Sequence, residues 1–142
     1  MSNEALNTVL SHLVIPVVVI HDAATTPAVT DGLVVGGLPV AEVTFRTDAA
    51  PAAIESMAGD GRITVGAGTV INARQVDEAV SAGASFVVSP GLSREGVDRC
   101  RHHAIPVLPG AITPTEIMAG IDMGLDLSLI HISEPTRRRG IS

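Results

Sequence analysis

Short apolar runs punctuate this chain at nearly even intervals, and that rhythm restricts the fold more than any other feature. Residues 14–20, 40–46, 63–65, 85–88 and 105–108 each read as a strand, and each is followed by a helical pattern. The repeat, about 20 to 25 residues, is the length of a compact βα unit. A leading helix over residues 1–12, with Leu6, Val9 and Leu10 on one side, precedes the first strand.

The punctuation between runs is specific. Thr26-Pro27 reads as an N-cap followed by Pro at the first helical position, and this helix carries Val29, Leu33 and Val34 to a stop at Gly36-Gly37. A helix over residues 49–57 turns Ala53, Ile54 and Met57 inward. Asn72 with Gln75 resembles a capping box, ahead of a helix carrying Val76, Ala79 and Val80, and a further helix spans residues 93–102. Thr113-Pro114-Thr115-Glu116 is the best cap in the chain, and its helix stops at Gly124. The strands end in loops rich in Gly, Pro or hydroxyl groups, as in Gly66-Ala67-Gly68-Thr69, Ser89-Pro90-Gly91 and Pro109-Gly110. In a (β/α)8 barrel such loops form the catalytic rim. The alternative is an open doubly wound sheet, but Gly66-x-Gly68 lacks the third Gly of a dinucleotide fingerprint. The expectation is a TIM barrel fold of which about five to six units are present; five do not close one.

The second strand carries the chemistry. In an extended Ala41-Glu42-Val43-Thr44-Phe45-Arg46, Ala41, Val43 and Phe45 point one way and Glu42, Thr44 and Arg46 the other. Buried parallel strands are normally unbroken Val, Ile and Leu, so an acid and a guanidinium here need a reason. One is an antiparallel strand with a wet face; another is a barrel lumen whose polar face lines a site. As an isolated pair, Glu42 and Arg46 also fit a structural salt bridge.

Composition excludes several function classes. The 142-residue chain is 46% hydrophobic but has only two Phe and no Trp or Tyr, so small aliphatic side chains fill its core. A net charge of −6 argues against a nucleic-acid surface. The single Cys100 precludes an internal disulfide framework, fits a cytoplasmic, reducing compartment, and reads as a small helix filler. No secretory leader is visible, and the longest apolar run, residues 13–20, is too short to span a membrane. His102 and His103 are adjacent, so they diverge on a helix and do not grip one metal ion. All nine basic residues are Arg; the chain has no Lys.

Four segments in order, Glu42-Val43-Thr44-x-Arg46-Thr47, Gly66-Ala67-Gly68-Thr69-Val70, Ser89-Pro90-Gly91-Leu92 and Ile105-Pro106-x-x-Pro109-Gly110, resemble the 2-keto-3-deoxy-6-phosphogluconate and 4-hydroxy-2-oxoglutarate aldolases of class I. The resemblance covers residues 13–124. It implies a (β/α)8 barrel, a homotrimer, and cleavage of a phosphorylated keto-deoxy sugar acid to pyruvate and glyceraldehyde 3-phosphate. A lysine Schiff base does the chemistry, with no cofactor and no metal. By the same resemblance Glu42 is the general acid/base, Arg46 and Thr69 hold the pyruvate carboxylate and nearby oxygens, and Pro90 shapes the rim loop. Read alone, Thr69 is a turn residue before a helix, and Pro90-Gly91 and Pro109-Gly110 are plain turns.

The resemblance breaks after Gly124. The family's Schiff-base lysine would fall at Leu129, within Leu127-Ser128-Leu129-Ile130-His131-Ile132-Ser133-Glu134-Pro135. Residues 127–142 resemble a translated sequencing adapter and contain the basic run Arg137-Arg138-Arg139. The domain expectation is residues 1–126 as the N-terminal part of an aldolase barrel and 127–142 as a non-native tail. A divergent tail that packs as an edge strand is the other reading. The sequence also leaves open a non-catalytic oxoacid-binding barrel remnant, or a preference for the galactonate epimer. Without the lysine, the chain is expected to be inactive alone and to associate through unpaired sheet edges.

Overall fold

The structure, a computed structural model, describes residues 3–130. One parallel sheet runs in the order β1-β2-β3-β4-β5, from β1 (Val17–Val18), β2 (Val40–Thr44) and β3 (Thr64–Gly68) to β4 (Val87–Ser89) and β5 (Val107–Pro109). Strands that neighbour one another in chain order, all parallel, are what a barrel wall requires. A doubly wound sheet would reverse its order at a switch point. Helix α1 (Asn3–Leu10) leads in, and α2 (Thr26–Val35), α3 (Ala50–Asp60), α4 (Ala73–Ser81), α5 (Arg94–His102) and α6 (Pro114–Asp122) follow the strands.

The two sheet faces bury different partners. Ala41, Val43, Val65, Ala67, Val87 and Val107 pack outward against Ala53, Ile54 and Met57 of α3, Val76 and Ala79 of α4, and Val97 and Cys100 of α5. Each buried aliphatic side chain of Val or Ile size contributes about 1.5–3 kcal/mol, so this layer outweighs the short ladders in holding the sheet. On the opposite face Val40, Phe86 and Val88 form a second cluster with Val9 of α1, joined by Ile15, Leu108 and Leu129. That face is the lumen side.

Most elements fall where the pattern put them, and the departures have physical causes. The first strand shrinks from 14–20 to two residues. It is an edge, and Val17, which pairs with Glu42 and shares its face, is 60% exposed. The second strand ends at Thr44 rather than at residue 46, where the chain turns into the β2–α3 loop. The fourth and fifth strands start later than read, because pairing begins at Val87 and Val107. Thr26 is not an N-cap. Asp22 accepts from the Ala24 amide at 2.9 Å and starts a 3-10 turn (Ala23–Thr25) that runs straight into α2, leaving Thr26 buried as its first residue.

The remaining caps form. The Asn72 side chain accepts from the Gln75 amide at 2.9 Å, although Gln75 reaches back to the Ile71 amide rather than to Asn72 itself. At α6 the box is complete: Thr113 Oγ1 accepts from the Glu116 amide, and Glu116 accepts from the Thr113 and Ile112 amides at 2.9 Å each. Those bonds hold the Glu116 carboxyl below the usual range, the Thr113 amide contributing most. Beyond α6, Leu129 adds one parallel bridge at the free edge of β5: its amide donates to the Pro109 carbonyl at 2.8 Å, and its carbonyl accepts from Ala111 at 3.0 Å. Of the proposed tail, residues 131–142, including the Arg137–Arg139 run, lie outside the described residues.

Candidate active site in the lumen

Register places the acid. Val40 joins the lumen cluster while Ala41 and Val43 pack outward, so Glu42 and Thr44 face the lumen, as strand alternation requires. The facing strand makes room. β3 pairs Gly66 with Glu42 and Gly68 with Thr44, and both lumen positions lack side chains. A Cβ on Gly66 would stand 2.3 Å from the Phe86 ring, and one on Gly68 would stand 1.9 Å from Oε1 of Glu42. The two glycines are therefore seats. Phe86 lies over one and the Glu42 carboxylate over the other. The sequence reading took this Gly-x-Gly as a strand-end loop; its signal as a seat is that the glycines alternate at the period of the strand face.

Thr69, the next residue, is half-buried and sits at φ 56°. A β-branched residue in the left-handed region is strained by about 1–3 kcal/mol. Hydrogen bonds on either side hold it there: the Gly68 carbonyl accepts from the Phe45 amide at 2.8 Å, and the Val70 amide donates to the Val88 carbonyl at 3.1 Å. Strain at a rim residue next to the acid sets Thr69 apart from an ordinary turn.

The other two expected residues sit on the rim. Arg46 lies past the end of β2, exposed, beside a cleft lined by Asp48, Arg74, Gln75 and Glu78. The cleft is shared with Pro51 of α3 and with Arg74, Gln75 and Glu78 of α4, and because β2 ends at Thr44 the strand alternation that turns Glu42 to the lumen does not extend to Arg46. Thr47 ties this loop to the end of the β1 segment by donating to the Ile20 carbonyl at 2.5 Å. Pro90 is exposed on the β4–α5 loop. A Cβ on Gly110 would stand 2.2 Å from the Pro90 carbonyl oxygen, so a bare backbone at 110 is what lets the Pro90 loop lie across β5. In the sequence, Pro109-Gly110 reads as a strand-end loop of the rim or, taken alone, as a plain turn; neither reading shows this close approach.

Residues set aside as non-catalytic sit elsewhere. Cys100 is fully buried in α5, and burial pushes its thiol up to about 12, so it is an inert filler. His103 Nε2 donates to Asp77 Oδ1 at 2.6 Å, and Arg99 grips the same carboxylate with two bonds of 2.6 and 2.8 Å. This clamp joins α4 to α5 on the outside of the barrel wall. No cluster of metal-ligating side chains occurs among the described residues, and among them no helix is long and apolar enough to cross a membrane.

The family model described as "KDPG and KHG aldolase" matches residues 6–134. The chain belongs to this aldolase family. Aldolases of the family are carbon–carbon lyases, and a 2-dehydro-3-deoxy-phosphogluconate aldolase from Zymomonas mobilis is 43% identical over 113 residues, 80% of this chain and 54% of the relative. The crystal structure of the 2-keto-3-deoxy-6-phosphogluconate aldolase of Zymomonas mobilis with 3-phosphoglycerate superposes with a TM-score of 0.75 at 43% identity, covering 79% of this chain and 54% of that one. The KDPG aldolase of Legionella pneumophila, with pyruvate captured as a covalent carbinolamine intermediate, gives 0.74 at 39% identity over 78% of this chain and 54% of that one. The chain thus spans about half the length of the aldolases it matches, and its five parallel strands are the corresponding part of their barrel.

Proposed function

We propose that this chain carries the acid–base part of an aldolase site that cleaves 2-keto-3-deoxy-6-phosphogluconate to pyruvate and glyceraldehyde 3-phosphate through a lysine imine. Glu42 is the proton carrier. With the C2 carbonyl converted to an imine, Glu42 takes the proton of the C4 hydroxyl. The C4–O bond becomes a carbonyl, and the C3–C4 electron pair moves toward the imine nitrogen. Glu42 then returns a proton to C3 of the enamine, and water releases pyruvate. Arg46 and Thr69 hold the carboxylate from the rim, where a guanidinium fork fits two carboxylate oxygens. Pro90 shapes the loop that closes over pyruvate.

One observation carries this reading: Leu129, the position at which the family's lysine is expected, packs into the same lumen cluster that flanks Glu42. An amine there would lie on the lumen side of the sheet, the side to which Glu42 turns. The absence of Lys favours a second reading for the chain by itself, as an oxoacid-binding remnant that does not turn over. 4-Hydroxy-2-oxoglutarate and the galactonate epimer are alternative substrates of the same chemistry. We also propose that residues 1–126 are the aldolase part, that 127–142 are a non-native tail, and that the whole enzyme is a cytoplasmic homotrimer.

Leu129→Lys tests the site directly. Treated with pyruvate and borohydride, the variant should gain one pyruvate-sized adduct on residue 129. The parent, with no Lys, reports the background from its N-terminal amine. A folded variant that gains no adduct at residue 129 overturns the proposal.

A further inference from the structure

Among the described residues, two buried side-chain oxygens lack a hydrogen-bond partner, those of Thr26 and Thr44. Thr26 opens α2 and belongs to the helix layer. Thr44 is fully buried on β2, on the lumen face, one alternation nearer the mouth than Glu42. The register pairs Thr44 with Gly68, and the carboxylate of Glu42 lies over Gly68. The orphaned hydroxyl on β2 and the carboxylate, which leans from β2 over Gly68 of β3, therefore occupy one layer of the lumen. Val has nearly the same outline and would fill the space without stranding a polar group, so packing does not account for a hydroxyl here.

We infer that Thr44 is a specificity-determining residue whose hydroxyl pairs with the C4 hydroxyl oxygen of a 4-hydroxy-2-oxo acid. This rests on the proposed function, since it takes Glu42 as the group that accepts that hydroxyl's proton. The two roles are compatible: one hydroxyl oxygen donates its proton to Glu42 and accepts from Thr44. A site built to bond a substrate hydroxyl leaves its own polar group unpaired when the hydroxyl is missing, and so discriminates against plain 2-oxo acids.

The test uses the full 142-residue chain and its Thr44→Val and Thr44→Ser variants. Each is titrated by NMR with 4-hydroxy-2-oxoglutarate and with pyruvate, and melted without ligand. The parent should bind the hydroxy acid more tightly. Thr44→Val should weaken the hydroxy acid about tenfold or more, leave pyruvate within about twofold, and melt at or above the parent temperature. Thr44→Ser should retain the preference. If Thr44→Val binds both acids as the parent does, the inference fails and the proposed function stands. If Thr44→Val weakens both acids equally and melts lower, Thr44 is structural and the inference fails. If the parent binds neither acid, the proposed function fails and takes this inference with it.

Discussion

The carboxylate of Glu42 occupies the space in which a side chain on Gly68 would begin, with Oε1 1.9 Å from the position of that missing Cβ. The two residues lie on neighbouring parallel strands, and Gly68 pairs with Thr44 rather than with Glu42 itself. The acid therefore leans along its strand toward the C-terminal end of the sheet.

Gly68→Ala should displace the carboxylate by more than an ångström. Overpacking of this kind costs about 1–3 kcal/mol, and a misplacement of about 1 Å at a reacting group costs roughly a hundredfold in rate. The urea midpoint should fall, and cleavage by the Leu129→Lys form should drop by that order. Gly59→Ala is the matched control: it lies in α3 with nothing within 4 Å of a new Cβ. It should gain about 0.5–1 kcal/mol. Equal stability effects at the two positions would mean that Gly68 is not a seat.

Thr69→Gly removes the strain of the left-handed backbone together with the hydroxyl. Relief of strain outweighs the added freedom of the unfolded chain, so the variant should gain about 1 kcal/mol in urea unfolding while losing affinity for pyruvate. A loss of stability would show that the threonine side chain holds the loop, and that strain is not traded for binding there.

Acid should loosen the contact between α4 and α5. The Arg99 guanidinium, and then His103, hold the Asp77 carboxyl at about 2 against an ordinary value of 3.8. Because the folded value lies below the unfolded one, the stabilisation is present above pH 3.8 and is lost as pH falls toward 2. Asp77→Asn should flatten the fall in melting temperature over that window. An unchanged pH profile would remove Asp77 from the clamp.

The fold was largely legible because it rests on local rules. Even spacing of apolar runs, glycine stops and the Thr113–Glu116 box are read from neighbours in the chain, and the five strands, their order and most helix limits follow. The first strand was overread because its pattern is that of a buried strand, whereas the structure leaves it at an edge with Val17 exposed. Glu42 stood out in the sequence because a charge in mid-strand breaks an otherwise apolar pattern, and the register confirms only that it faces the lumen. Arg46 was placed on the same strand face because alternation does not announce where a strand ends.

By itself, then, the chain determined a run of parallel βα units and which residue types could do chemistry, since both depend on periodicity and side-chain identity. Only the tertiary structure decided that Gly66 and Gly68 seat Phe86 and Glu42, that Gly110 seats the Pro90 loop, and that the Thr44 hydroxyl faces the same layer without a partner. These are contacts between strands, set by register and by how closely two backbones approach. The Gly-x-Gly spacing marks two bare positions on one strand face, but no spacing along the chain says which side chains fill them.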